Sequence, residues 1–171
     1  MRGAPVPDAV DQITAAWREV RPDVDVSPME IVARINRLSH LLERELAEFF
    51  RGHGLEFWEF DVLATLRRSN DPRGLTAGAL NKAAMRTSGA ITNRIDRLTA
   101  KGLVARIPDP DDRRAIRVNL TPEGLALVDK LLPLHMVNEE RLLSALSPTD
   151  RDHLNPLLRT LAISLGDTSL T

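Results

Sequence analysis

The sequence contains no cysteine, which excludes disulfides, thiolate-bound metals and thiol-based redox sensing together. It has no apolar run approaching the ~18 residues that a membrane-spanning helix needs, so no membrane partner is expected. Met1 to Asp11 carry one arginine, then prolines and acids, without the apolar stretch of a secretory signal. By elimination these absences lead to a cytoplasmic expectation. Enzyme signatures are missing too. His40, His53, His135 and His153 are isolated, and there is no HExxH, Gly-rich phosphate loop, nucleophile elbow or paired-carboxylate pattern. No catalytic residue, metal or cofactor is expected, and the chain does not read as an enzyme.

What is present is an ordinary globular composition over 171 residues, enough for one domain with a real core or one domain plus an assembly interface. The net charge of −1 hides a segregation. Phe60 to Leu120 hold 12 of the 23 Lys and Arg but only 6 of the 24 Asp and Glu, so 11 basic and 18 acidic residues lie elsewhere. A basic module between acidic flanks is the footprint of a lobe that meets phosphates while its surroundings turn away from them.

Helical periodicity dominates. Val10, Ile13, Trp17 and Val20 mark a short amphipathic helix that Pro22 ends. Ser27-Pro28-Met29-Glu30 reads as a helix start, with Ser27 as cap and Glu30 completing a capping box. Ile31, Ile35, Leu38, Leu42, Leu46 and Phe49 then form one stripe that Gly52 and Gly54 close. Thr121-Pro122 and Ser147-Pro148 open two Leu-rich helices, in which Pro133 and Pro156 are expected to cause kinks or breaks. Between these outer helices the elements are shorter. Phe57 to Arg68 reads as a helix and residues 70–74 as a turn. Thr76 caps a short helix to about Ala84, and another runs from Thr87 or Ser88 to Lys101. Leu103–Ile107 and Ala115–Leu120 read as strands joined through Pro108-Asp109-Pro110-Asp111-Asp112. The expected fold is mainly α with a small β-hairpin wing, a winged helix-turn-helix. It divides into an N-terminal extension (1–26), a long helix (27–56), the winged lobe (57–120) and C-terminal helices (121–171).

On a wheel of about 100° per residue, Ile91, Ile95 and Leu98 point one way, and Gly89, Asn93, Arg97 and Ala100 the other. Such a face suits a major groove, because Asn and Arg make bidentate contacts to base edges. Arg86, Thr87 and Ser88 at the helix start suit phosphates, and Arg113 and Arg114 at the hairpin tip suit a minor groove. The plainer reading is a polar surface helix and a hairpin in which Asp112 pairs an arginine.

The run TSGAITNRIDRLTAKGLVARIPDPDDRRAIRVNLTPEG, Thr87 to Gly124, resembles the recognition helix and wing of the multiple antibiotic resistance regulator (MarR) family. The resemblance rests on Asp112-Arg113-Arg114, Leu120-Thr121 and Gly124, and extends over roughly Pro28 to Leu165. It implies a DNA-binding transcriptional regulator, by family default a repressor. Its terminal helices would interdigitate in a homodimer, and its operator would be a pseudo-palindrome in double-stranded DNA. Four further residues, Trp17, Asp61, Arg94 and Arg106, are similar to the ligand-site residues of the family's urate-responsive branch, which also carries an extra N-terminal helix. The resemblance therefore implies a small-molecule effector, urate or a related purine, held by two Arg forks and a Trp ring. Each member has a plainer reading: Trp17 as packing anchor, Asp61 as a solvated residue, Arg94 and Arg106 as phosphate contacts. The alternatives are a non-purine effector, and a dimeric interaction module that does not bind DNA.

Overall fold

The computed structural model describes residues 6–84, 91–109, 111–112 and 115–169. Its elements are α1 (Ala9–Val20), α2 (Ser27–Arg51), α3 (Phe57–Ser69), β1 (Leu75–Thr76), α4 (Ala77–Ala83), α5 (Ile91–Ala100), β2 (Val104–Pro108), β3 (Ile116–Leu120), α6 (Pro122–Leu142) and α7 (Pro148–Ser164). The chain divides into two compact units, Met1–Glu48 and Phe49–Thr171.

In the first unit α1 begins at Asp8, whose carboxylate accepts from the Val10 and Asp11 N–H groups. Charge then laces α1 to α2. Arg34 reaches Asp8 at 2.8 Å and Asp11 at 2.5 Å, and Arg18 reaches Glu30 at 2.5 Å. The Arg34 guanidinium holds the Asp8 carboxyl down to about 2. Ser27 does not cap α2 as expected. Its N–H and hydroxyl both donate to the Asp25 carboxylate, at 2.9 and 3.0 Å, and the helix already includes Ser27. A charged acceptor two residues upstream outcompetes the serine oxygen, and Glu30 is left to pair with Arg18.

The second unit is built on α3. Phe60, Val62, Leu63 and Leu66 of α3 are buried with Phe50, Leu80, Ile95, Leu98, Val104, Val118, Val128 and Leu131. Each such aliphatic side chain contributes about 1.5–3 kcal/mol on leaving water. Antiparallel pairing gives the sheet order β1-β3-β2, with Leu75 opposite Val118 and Arg106 opposite Val118 from the other side. The third strand, β1, is not signalled by the sequence pattern, since two residues show no alternation. Gly74 permits it: with φ 73°, it lies so close to β3 that a Cβ would stand 2.2 Å from the Val118 carbonyl oxygen.

The caps at Thr76, Thr121 and Ser147 form as expected, each side-chain oxygen accepting a first-turn N–H. Of the kinks or breaks expected at Pro133 and Pro156, the breaks do not occur: α6 and α7 each run through their proline. In α6 the residues on both sides of Pro133 are anchored, with Val128, Leu131 and His135 buried, and tertiary burial outweighs the roughly 3 kcal/mol that an interior proline costs.

Candidate nucleic-acid interface

The two helices of the module are α4, capped by Thr76, and α5. On α5 the wheel is realised: Ile95 and Leu98 are buried, Arg94 is half-buried, and Asn93 and Arg97 are exposed. Arg86, Thr87 and Ser88 before α5, and Arg113 and Arg114 at the wing tip, lie outside the described residues.

The exposed Arg97 does not extend freely. Its guanidinium carbon lies over the Trp58 ring, 4.9 Å from the centroid, and Arg94 lies over the same ring at 5.3 Å. One Arg97 nitrogen is also 4.0 Å from Glu59 Oε1. Glu59 is fully buried, at 0% exposure. Its Oε2 accepts from the Glu56 N–H at 2.9 Å and from Lys101 Nζ at 2.6 Å. The first turn of α3 therefore holds three cations of the 94–101 stretch. Sequence reading missed Trp58, Glu59 and Lys101 in this role. The Glu56-x-x-Glu59 spacing of a helix start was the available signal for the carboxylate, and no local pattern joins Trp58 to residues nearly forty positions away.

The base of the wing is fastened by Asp109 and Arg117, also unforeseen. The Asp109 carboxylate accepts from the N–H groups of Asp111 and Asp112 at 2.8 and 3.2 Å and pairs with the Arg117 guanidinium. The Asp111 N–H first, then the Arg117 guanidinium and the Asp112 N–H, hold its carboxyl below the usual carboxylate range. Arg117 also donates to the Gly74 carbonyl at 3.0 Å, and Asn119 to the Pro72 carbonyl at 2.9 Å. The hairpin thus emerges from a base tied to the turn after α3. At the other end, Thr121 Oγ1 donates to the Gly102 carbonyl at 2.7 Å and accepts from the Gly124 N–H at 3.0 Å. The Thr121 N–H donates to the Leu103 carbonyl at 3.2 Å.

Of the four effector candidates, Asp61, Arg94 and Arg106 belong to the second unit and Trp17 to the first. Trp17 is 46% exposed on α1. Asp61 is buried at 5% exposure. Its solvated reading therefore fails, because α3 is covered on nearly every side. Arg106 pairs with Asp96 of α5 at 2.5 Å, which ties β2 to α5. Among the described residues no group of His, Asp or Glu is arranged to hold a metal ion.

Comparison with known proteins bears on the family to which the chain belongs. A model of the MarR family matches residues 53–115. The transcriptional regulator PecS of Dickeya dadantii is 38% identical over 149 residues, covering 87% of this chain and 90% of PecS. A crystal structure of a mutant Escherichia coli MarR with operator DNA superposes with TM-score 0.67 at 25% identity, covering 85% of this chain and 96% of that one. A structure of Bordetella bronchiseptica BpsR, concerned with regulation of its DNA binding by 6-hydroxynicotinic acid, gives TM-score 0.66 at 27% identity, covering 77% and 92%.

Proposed function

Because the chain belongs to the MarR family of transcriptional regulators, we propose that it acts as a homodimeric repressor that a small planar anion releases from a pseudo-palindromic operator. The observation that carries the DNA part is the orientation of α5. Ile95 and Leu98 fix its back in the core, while Asn93 and Arg97 face outward from the most basic part of the chain. In this reading Arg86, Thr87 and Ser88 engage phosphates, Asn93 and Arg97 read base edges, and Arg113 and Arg114 enter the minor groove. The likeness to a MarR solved with operator DNA supports it.

Assembly follows from exposed apolar surface. Ile31, Val32 and Leu38 of α2, and Leu157, Leu158 and Ile163 of α7, are exposed in the single chain. Such stripes on terminal helices are what a second copy buries. In the domain division this implies, residues 27–56 and 121–171 dimerise, 57–120 bind DNA, and 1–26 form an added N-terminal segment.

Within the second unit the effector would be held by Arg94 and Arg106 beside Asp61. Two guanidiniums suit a planar aromatic or purine anion such as urate, with Asp61 repelling it and thereby moving α5. BpsR, whose DNA binding is regulated by a heteroaromatic acid, supports that chemical class. Fluorescence anisotropy with the protein's own upstream DNA tests the first part. Affinity should fall steeply, on the order of 10³-fold between roughly 50 and 200 mM salt, and Arg114→Ala should flatten the slope. Salt-insensitive binding would refute DNA recognition. Calorimetry with urate, xanthine and salicylate tests the second part, and absence of heat from both purines refutes the purine reading.

A further inference from the structure

We propose that Trp58 is a positioning residue for DNA recognition: its ring seats the Arg97 guanidinium so that the in-plane N–H groups are aimed before DNA arrives. The inference rests on the DNA-binding reading above for the role of Arg97, and adds a residue outside α5 on which that role depends.

Three features lead to it. First, Arg97 remains 59% exposed, yet its guanidinium lies 4.9 Å from the Trp58 centroid. Stacking engages the flat face of a guanidinium and leaves its five donors at the edge, where a base or phosphate is met. Second, the platform is fixed. Trp58 sits in the first turn of α3 between Phe57, packed against the core, and Glu59, whose carboxylate is bonded to the Glu56 N–H and to Lys101. Third, Arg94 shares the ring at 5.3 Å. Two like charges one turn apart on a helix repel. The electron-rich ring and the Glu59 carboxylate offset that repulsion and keep Arg97 from swinging away.

A long exposed arginine otherwise samples many rotamers, and freezing it on the operator weakens binding. Trp58 removes that loss in advance. Trp58→Leu keeps apolar volume but has no π face. It should weaken operator binding about fivefold, as expected for loss of one cation–π contact and the aim it provides. Binding to unrelated duplex should change little, because phosphate contacts carry no sequence information. Trp58→Phe retains a ring and should recover most of the affinity.

The deciding measurement is a double-mutant cycle in operator affinity. Arg97→Gln alone should weaken binding, and Trp58→Leu added to Arg97→Gln should then cost less than about 1.5-fold. If Trp58→Leu costs the same in both backgrounds, its ring acts as packing and the proposal falls while Arg97's role stands. If Arg97→Gln itself loses nothing, the DNA-binding assignment of Arg97 fails and the proposal falls with it. Circular dichroism checks folding. Should Trp58→Leu not fold, Trp58→Phe is carried through the same cycle, with a smaller loss that must vanish in the Arg97→Gln background; a loss that persists there overturns the proposal.

Discussion

Replacing Gly124 by alanine should unfold the winged lobe several degrees earlier than the wild type, although the change adds one methyl group on a helix. A Cβ at Gly124 would lie 2.0 Å from the Leu103 carbonyl oxygen, 2.9 Å from its carbon and 3.3 Å from its Cα. All three are backbone atoms, so no side chain can rotate out of the way. The local backbone is also pinned: the Leu103 N–H donates to the Leu98 carbonyl, and Thr121 holds both Gly102 and Leu103. Relief requires the start of α6 to lift away by about an ångström. Overpacking of this kind costs about 1–3 kcal/mol. Weakening the two Thr121 bonds adds about 1 kcal/mol each. A total near 3–5 kcal/mol corresponds to a Tm drop of roughly 6–20 °C for a chain of this size. The assay is thermal unfolding by circular dichroism at equal protein concentration, since assembly makes Tm concentration-dependent. Gly78→Ala is the control. Gly78 lies inside α4, where an added methyl group would have nothing within 4 Å, and the substitution should gain about 0.5–1 kcal/mol. A Gly124→Ala variant that melts within about 2 °C of wild type would refute the close-approach argument.

Lys101→Met removes the only full ion-pair partner of Glu59 among the described residues, leaving a buried carboxylate with one backbone donor and Arg97 at 4.0 Å. It should cost about 1–3 kcal/mol in urea unfolding, partly recovered by adding Glu59→Gln. His135 is buried among the rings of Phe49, Phe50 and Phe60, at centroid distances of 5.9, 5.0 and 5.3 Å. Burial lowers its pKa below the usual histidine value, against a smaller opposing pull from Glu139. The unfolded chain then takes up the proton first, so stability falls as pH drops below about 6.5 and levels off once the folded-state pKa is passed. His135→Phe should therefore lose less stability than wild type between about pH 7.5 and 5.5, and equal losses would show that burial does not keep the ring neutral. Asp109→Asn should loosen the wing base, seen as faster amide exchange at Asp111, Asp112 and Ala115, because it discards the charge that Arg117 pairs with.

The architecture was legible wherever one local rule decided it. Period-3.6 stripes marked the long helices, period-2 alternation marked β3, and Thr76, Thr121 and Ser147 marked helix starts that formed as capped. Reading failed where a neighbour outside the helical pattern decided. Asp25 took the Ser27 donors, the core carried α6 unbroken through Pro133, and Asp61 is buried because α3 is surrounded, which no single wheel reveals. The inward and outward faces of α5 were readable because Ile95 and Leu98 repeat at helical spacing. What Arg94, Arg97 and Lys101 do there was not, since Trp58 and Glu59 are set beside them only by the packing of α3.

The motif that carries the family resemblance serves two physically unrelated demands. Leu120, Thr121 and Gly124 carry no exposed charge toward a ligand. Thr121 bonds Gly102, Leu103 and Gly124, and Gly124 is small because α6 must start against the Leu103 carbonyl. These residues fasten the end of β3 to the turn after α5, so they set where the recognition helix stops and where the hairpin starts. Asp112 instead lies between β2 and β3, beyond the base that Asp109 and Arg117 secure, and the sequence puts Arg113 and Arg114, which are outside the described residues, directly after it. A substitution at the fastening end should therefore change stability and spare the salt dependence of DNA binding in whatever folded protein remains. A substitution at the tip should do the reverse. The two halves of one sequence motif are thus distinguishable by whether urea or salt exposes the defect.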